Sequence, residues 1–313
     1  MAGRLDRPVR PQADPRCRQQ IESDWPGFQR AWRGNRVTQR PNGQYTAFPG
    51  DLAGLKYRAY DRSMTPPSSY PKPPITEAII DLRVKSRGDL EASELEGVRQ
   101  GAEAQYPHST PIYHAEGTFI ISGDAPPSAA AQQHLWGYKF TSASKQVIWQ
   151  SRRDGFTYSQ LAPYDGWEPF RDAARRLWTR FRDQTQPLAV ERLAVRYVNR
   201  IDIPFPSIDL KEFFRTWPEI SPDLPQELSS YFMQLCLPQS DLNGQVWINQ
   251  TILPPPSPDV VSVVLDIDLF TDRNVPNSEE SIWEFFERLH VRKNEVFEAC
   301  ITDKTRRLFQ SCR

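Results

Sequence analysis

No stretch of this chain approaches the ~20 consecutive apolar residues that a membrane-crossing helix needs, and its first residues lack the apolar core of a secretory signal. Export and membrane insertion are therefore not expected, and the chain reads as a cytoplasmic protein. Net charge is missing too: 39 Lys and Arg offset 39 Asp and Glu, so there is no global positive field to draw in a phosphate backbone, and nucleic acid is not indicated as a partner. Cysteine is scarce. Cys17, Cys236, Cys300 and Cys312 form no Cys-x-x-Cys pair, which excludes a zinc ribbon and a disulfide scaffold and leaves free thiols. The four histidines, His108, His114, His134 and His290, show no zinc-binding spacing. A Gly-x-Ser-x-Gly elbow, a phosphate-cradling glycine loop and a dinucleotide fingerprint are likewise absent, so no cofactor is expected.

What is present is patterned apolar sequence. Residues 1–63 are rich in Arg, Pro, Gln and Gly without steady apolar period, and read as a disordered leader or as sequence upstream of a natural start at Met64. Asp24-Trp25 and Phe28 to Trp32 hint at a short helix there. Order begins at Pro73, with Thr76, Ala78, Ile80, Leu82 and Val84 alternating against Glu77, Asp81 and Arg83 as a strand with one buried face. A helix is predicted over 93–105. Short strands follow near 118–121, 135–141, 146–151 and 155–161, too closely spaced for anything but antiparallel hairpins. Asp154-Gly155 reads as one of their turns, glycine tolerating positive φ. Asp165 and Glu168 suggest a capping box for a helix carrying Phe170, Ala174, Leu177, Trp178 and Phe181 on one side. A strand over 191–203, a short helix capped by Asp209, strands near 231–237, 245–253 and 260–270, and a long helix over 279–300 complete the chain. Runs of strands broken by few helices mean α+β. The expectation is two antiparallel β-sheet subdomains, each packed against a long amphipathic helix, over 64–204 and 205–313, joined near Pro204 to Pro206.

Several of these blocks together resemble a sporadically distributed bacterial family of uncharacterised proteins: Pro73 to Ile80, Asp154 to Tyr164 with Trp167, Arg196 to Ile201, and Leu289-His290 with the Phe297 to Phe309 stretch. The resemblance begins at about Pro73. It implies no activity; patchy occurrence in a family implies accessory genes such as defence or toxin-antitoxin loci.

The chemistry-bearing residues are few. Arg192, Arg196 and Arg200 share one face of their strand, with Tyr197 and Asn199 on the other. Guanidinium groups grip phosphates or carboxylates, but positions four apart along a strand are ~13 Å apart, too far to hold one small anion. If the first strand lies alongside, Glu77 and Asp81 face the arginines as a cross-strand charge ladder, the favoured reading. Asn199 is an amide on an apolar face and needs partners, as a register-setting contact or a ligand contact. Tyr164 and Trp167 line a groove or close the core. Asp266 and Asp268 share a strand face and could hold a metal, without an evident third ligand. These features favour a non-enzymatic binding or regulatory protein whose partner is another protein, with self-association left open. A metal-dependent phosphoesterase or nuclease-like enzyme using Asp266, Asp268 and Arg196 or Arg200 is one alternative. A small-ligand sensor binding between sheet and helix is the other.

Overall fold

A computed structural model describes residues 70–122, 125–204 and 209–310, with the side chains of 116–131 left aside. The expectations for residues 1–63, Met64, Cys17, Cys312, Phe205 and Pro206 lie outside these residues. The described body is an α+β arrangement built on one nine-stranded, wholly antiparallel sheet. Its strands are β1 (Ile75–Lys85), β2 (His108–Ser122), β3 (Ala125–Thr141), β4 (Val147–Arg152), β5 (Gly155–Leu161), β6 (Ala189–Pro204), β7 (Phe232–Gln239), β8 (Gly244–Leu253) and β9 (Val260–Thr271). They lie in the order β2-β3-β4-β5-β1-β6-β9-β8-β7. The helices are α1 (Ala92–Gly97), α2 (Trp167–Thr185), α3 (Leu210–Phe213), α4 (Glu279–Cys300) and α5 (Asp303–Gln310).

The expected division into two sheets is corrected by β6. This 16-residue strand pairs with β1 on one edge and with β9 on the other, in unbroken register from Leu193↔Thr271 to Pro204↔Val260. Both halves of the chain therefore share one sheet and one core. Alternation sends Ile80, Leu82, Phe156, Leu193, Val195, Tyr197, Ile267 and Leu269 to the same face, where all are buried. The amphipathic helices cover that face: α2 with Phe170, Ala174, Leu177, Trp178 and Phe181, and α4 with Ile282, Phe286, Leu289 and Val296, each set falling on one side of its helix.

Local differences have local causes. The helix expected over 93–105 stops at Gly97 and gives way to turns, Gly101 adopting φ +77°, because glycine is a poor helix interior residue. The capping box expected at α2 is not formed. Gly166 occupies the N-cap without a side-chain bond, and Asp165 instead accepts a hydrogen bond from Gln160 at 3.0 Å. The cap at Asp209 is present, accepting from the Lys211 amide at 3.1 Å. The runs expected at 118–121 and 135–141 belong to one long hairpin, β2–β3, and α5 is an element the periodicity did not announce.

Candidate functional site

The two faces of the sheet carry two different polar systems. On the face away from the helices, Arg192, Arg196 and Arg200 project between the acids of β1 and β9. Arg192 donates to Asp81 at 3.0 Å and to Asp268 at 3.3 Å. Arg196 grips Asp266 with two parallel N–H···O bonds, both 2.8 Å, and Asp266 also accepts from Asn249 at 3.0 Å. Arg200 donates to Asp202 at 3.0 Å and Ser262 at 2.9 Å. Arg152, only 1% exposed, continues the pattern to Asp81 at 3.1 Å and Asp154 at 3.0 Å. Every one of these guanidiniums meets an acid, and Asp81 serves Arg83, Arg152 and Arg192 together, so the arginines form a lattice along the sheet.

The lattice polarises its members. Burial alone would raise the Asp81 carboxyl, but Arg83, Arg152 and Arg192 together outweigh it and hold the group well below the usual carboxylate range. Asp268 goes the other way, raised by burial and by Asp266 and Asp81 against the pull of Arg192 and Arg196. Glu77 is raised by burial too, which exceeds the opposing effects of Ser159 and Arg196. Asp266 and Asp268, the carboxylates considered for a metal, are committed to arginine. Among the described residues no three His, Cys, Asp or Glu side chains gather as a metal-holding group.

On the helix-covered face a cavity of about 410 Å³ opens where β6, the start of α2 and the middle of α4 meet the lead-in segment before β1. It contains Asn199, Tyr164 and Trp167, three of the residues singled out in the sequence, together with Tyr70, His290, Lys293 and Glu298. The lead-in segment is fixed across it: Tyr70 donates to Glu298 at 2.6 Å, and the Pro74 carbonyl accepts from the Arg200 amide at 2.8 Å. Asn199 Nδ2 donates to the Leu265 carbonyl at 3.0 Å, opposite the irregularity where β1 shifts register against β6. The amide thus satisfies part of its bonding in the sheet while it borders the cavity.

Tyr164 and Tyr197 share a hydrogen bond of 2.9 Å between their hydroxyls, and burial raises both phenols, so both keep their protons. Trp167 donates to Glu287 at 2.8 Å and stacks on the His290 ring at 4.3 Å, nearly parallel. Burial, then the nearby Lys293 and Arg171, lower His290 to about 3, so the imidazole is neutral. Its Nε2 faces the Asn294 amide at 3.2 Å, while Nδ1 is buried without a partner.

Lys293 is the residue the sequence reading missed. It is 6% exposed, and its ammonium nitrogen stands 3.7 Å from the centre of the Tyr197 ring. Among the described residues it has no hydrogen bond or ion pair. Glu298 is close enough to be felt, but its carboxylate is taken by Tyr70 and by Arg306 at 2.7 Å. Burial therefore dominates and lowers Lys293 to about 7, Glu298 only partly opposing it. A signal was available: Leu289, Lys293 and Val296 fall at successive core positions of α4, so a lysine occupies a place in an otherwise apolar stripe. An amine poised between its two protonation states can accept a proton, pair with an anion or attack an electrophile.

No protein-family model matches this sequence, and no curated protein matches it.

Proposed function

We propose that this protein binds a small organic ligand in the cavity between the start of α2, α4 and the lead-in segment. One observation carries the reading: a buried lysine that meets a tyrosine ring but makes no hydrogen bond or ion pair among the described residues lines a cavity that also offers the Asn199 amide and the Trp167–His290 stack. A buried cation carries a large desolvation cost unless something pairs with it, and Glu298, the wall carboxylate that Lys293 feels, is bonded to Tyr70 and Arg306 instead. The volume falls within the range of ordinary small-molecule sites, and the wall mixes aromatic and proline surface with polar groups that could orient a ligand.

The test is thermal denaturation of the full chain against a panel of organic acids, amino acids, nucleotides and sugars, with K293M and Y164F beside the wild type. A ligand at a hundred times its Kd adds about 2.7 kcal/mol of stability. The expected outcome is a compound class that raises Tm in the wild type and much less in K293M. If the panel leaves Tm unmoved, or the same compounds shift K293M equally, the cavity is not the binding site.

A protein partner, in a defence or toxin-antitoxin setting, is the second reading. It is favoured by β7, an outer strand of the sheet carrying the exposed Phe232 and Leu237. It ranks lower because those two side chains alternate to opposite faces. The other large exposed apolar side chains among the described residues, Tyr113, Leu188, Leu224 and Val291, sit on separate elements and form no broad patch.

A further inference from the structure

Resting on the binding reading above, we propose that the ligand is a small 2-oxo acid or a related carboxylate-bearing carbonyl compound, captured reversibly by Lys293 as an imine. Two features of the cavity specify the two ends of such a molecule. The first is the amine itself. The chain strongly prefers arginine, with eight lysines among its 39 basic residues, and every basic group of the sheet lattice is arginine. At this buried position it carries lysine instead. Arginine cannot shed its proton in a protein, whereas lysine can, and only the neutral amine has the lone pair that attacks a carbonyl. Burial brings Lys293 to about 7, so a substantial share of the amine is neutral at neutral pH.

The second feature is the start of α2. This 19-residue helix opens at Gly166 with no side-chain cap, and Gly166, Trp167 and Glu168 border the same cavity as Lys293. The first amides of a helix lack partners within it and carry the positive end of its dipole, which suits a carboxylate. Asp165, Glu168 and Glu298 border the cavity as well, and because repulsion scales with the ligand's charge they disfavour a multiply charged phosphate more than a single carboxylate.

The chemistry balances without any other reactant. The Lys293 nitrogen forms a bond to the carbonyl carbon as the C=O pair moves to oxygen, and an N–H proton passes to that oxygen to give a carbinolamine. Loss of water breaks the C–O bond and leaves C=N. The net change is amine plus carbonyl to imine plus water.

The experiment treats the full chain at neutral pH with pyruvate or glyoxylate and sodium cyanoborohydride, which reduces any imine to a stable secondary amine. Intact mass then counts adducts, and peptide mapping locates them among the eight lysines. The expected result is one adduct per chain, at Lys293, forming roughly tenfold or more faster than at any other lysine, since a larger neutral fraction raises the reactive population. K293R, which keeps a cation but not a nucleophile, should lose this adduct. Acetone, which is pyruvate with a methyl group in place of the carboxylate, should show less preference for Lys293 over the other lysines than pyruvate does. Should K293R not fold, the wild type unfolded in urea is the control, because the preference for Lys293 must vanish there. Labelling spread evenly over the lysines of the folded chain overturns the proposal, as does an equal preference of acetone and pyruvate for Lys293 over the other lysines. If no adduct forms while ligands from the thermal panel still stabilise the wild type and not K293M, imine capture fails and the binding reading stands.

Discussion

Replacing Lys293 by methionine should change how the stability of the fold depends on pH, because the lysine's charge is the thing that burial penalises. Methionine keeps the length and apolar character of the stem and removes the amine. The lysine lies near 10.5 when solvated and at about 7 in the folded chain. The sign follows from proton counting. Between about 7 and 10.5 the unfolded chain holds a proton that the folded chain has released, so stability rises with pH at up to ~1.4 kcal/mol per unit. Below about 7 both states are charged and the full penalty, about 4 to 5 kcal/mol, is present and constant. K293M should therefore gain most over the wild type at pH 7 and below, and that advantage should shrink by about 2 kcal/mol between pH 7 and pH 9. Groups titrating in the same window, such as cysteines in the unfolded chain, are common to both proteins and cancel in the difference. Urea denaturation followed by tryptophan fluorescence at several pH values measures it, with nine tryptophans as reporters. Parallel stability curves for the two proteins would refute the claim that burial of Lys293 outweighs the pull of Glu298.

Three further outcomes probe the fold and the arginine lattice. Asp81→Asn leaves Arg83, Arg152 and Arg192 short of a shared acid and should cost about 3 to 5 kcal/mol at neutral pH. Because the Asp81 carboxyl is lowered in the fold, its contribution is present above ~4 and fades as pH falls, so the acid limb of the urea stability profile should be flatter in D81N than in the wild type. Asp266→Asn should cost several times more than Asp268→Asn, since Asp266 holds Arg196 through two bonds while Asp268 is already raised by burial; equal losses in equilibrium unfolding would contradict this asymmetry. Gly155→Ala should destabilise by more than ~2 kcal/mol, because Gly155 sits at φ +153° and a Cβ there would lie 2.2 Å from the Leu82 carbonyl oxygen; an unchanged urea midpoint would count against this register.

Alternation and helical spacing located most of β1, β4 to β9, α2 and α4, because an apolar face has to be written into the residues that form it. They could not say which strands are neighbours. Val260 to Thr271 alternates in the same way whether it pairs in a sheet of its own or with β6, and only the register Arg196↔Asp268 reveals that it joins the first half of the chain. The β2–β3 hairpin was seen only in part for the opposite reason. Ala125 to His134 is made of Ala, Pro, Ser, Gln and His, residues of low strand preference, and its pairing with β2 is not advertised by composition.

The functional residues divided along a similar line. The arginine row was conspicuous in the sequence, but conspicuous charge on a strand needs compensation, and compensation is what the acids of β1 and β9, and Asp202 of β6 itself, provide. Lys293 drew no notice because a single lysine between Leu289 and Val296 looks like a minor break in an apolar stripe. Its significance depends on three separate segments that come together around it: Tyr197 from β6, Tyr70 from the lead-in segment, and Arg306 from α5, which with Tyr70 occupies Glu298. Those contacts remove the nearest carboxylate from use and leave the amine inside a cavity. A paired charge is settled within the fold, whereas an unpaired buried one remains available to a ligand, and that difference is why the cavity rather than the arginine lattice is the better candidate for function.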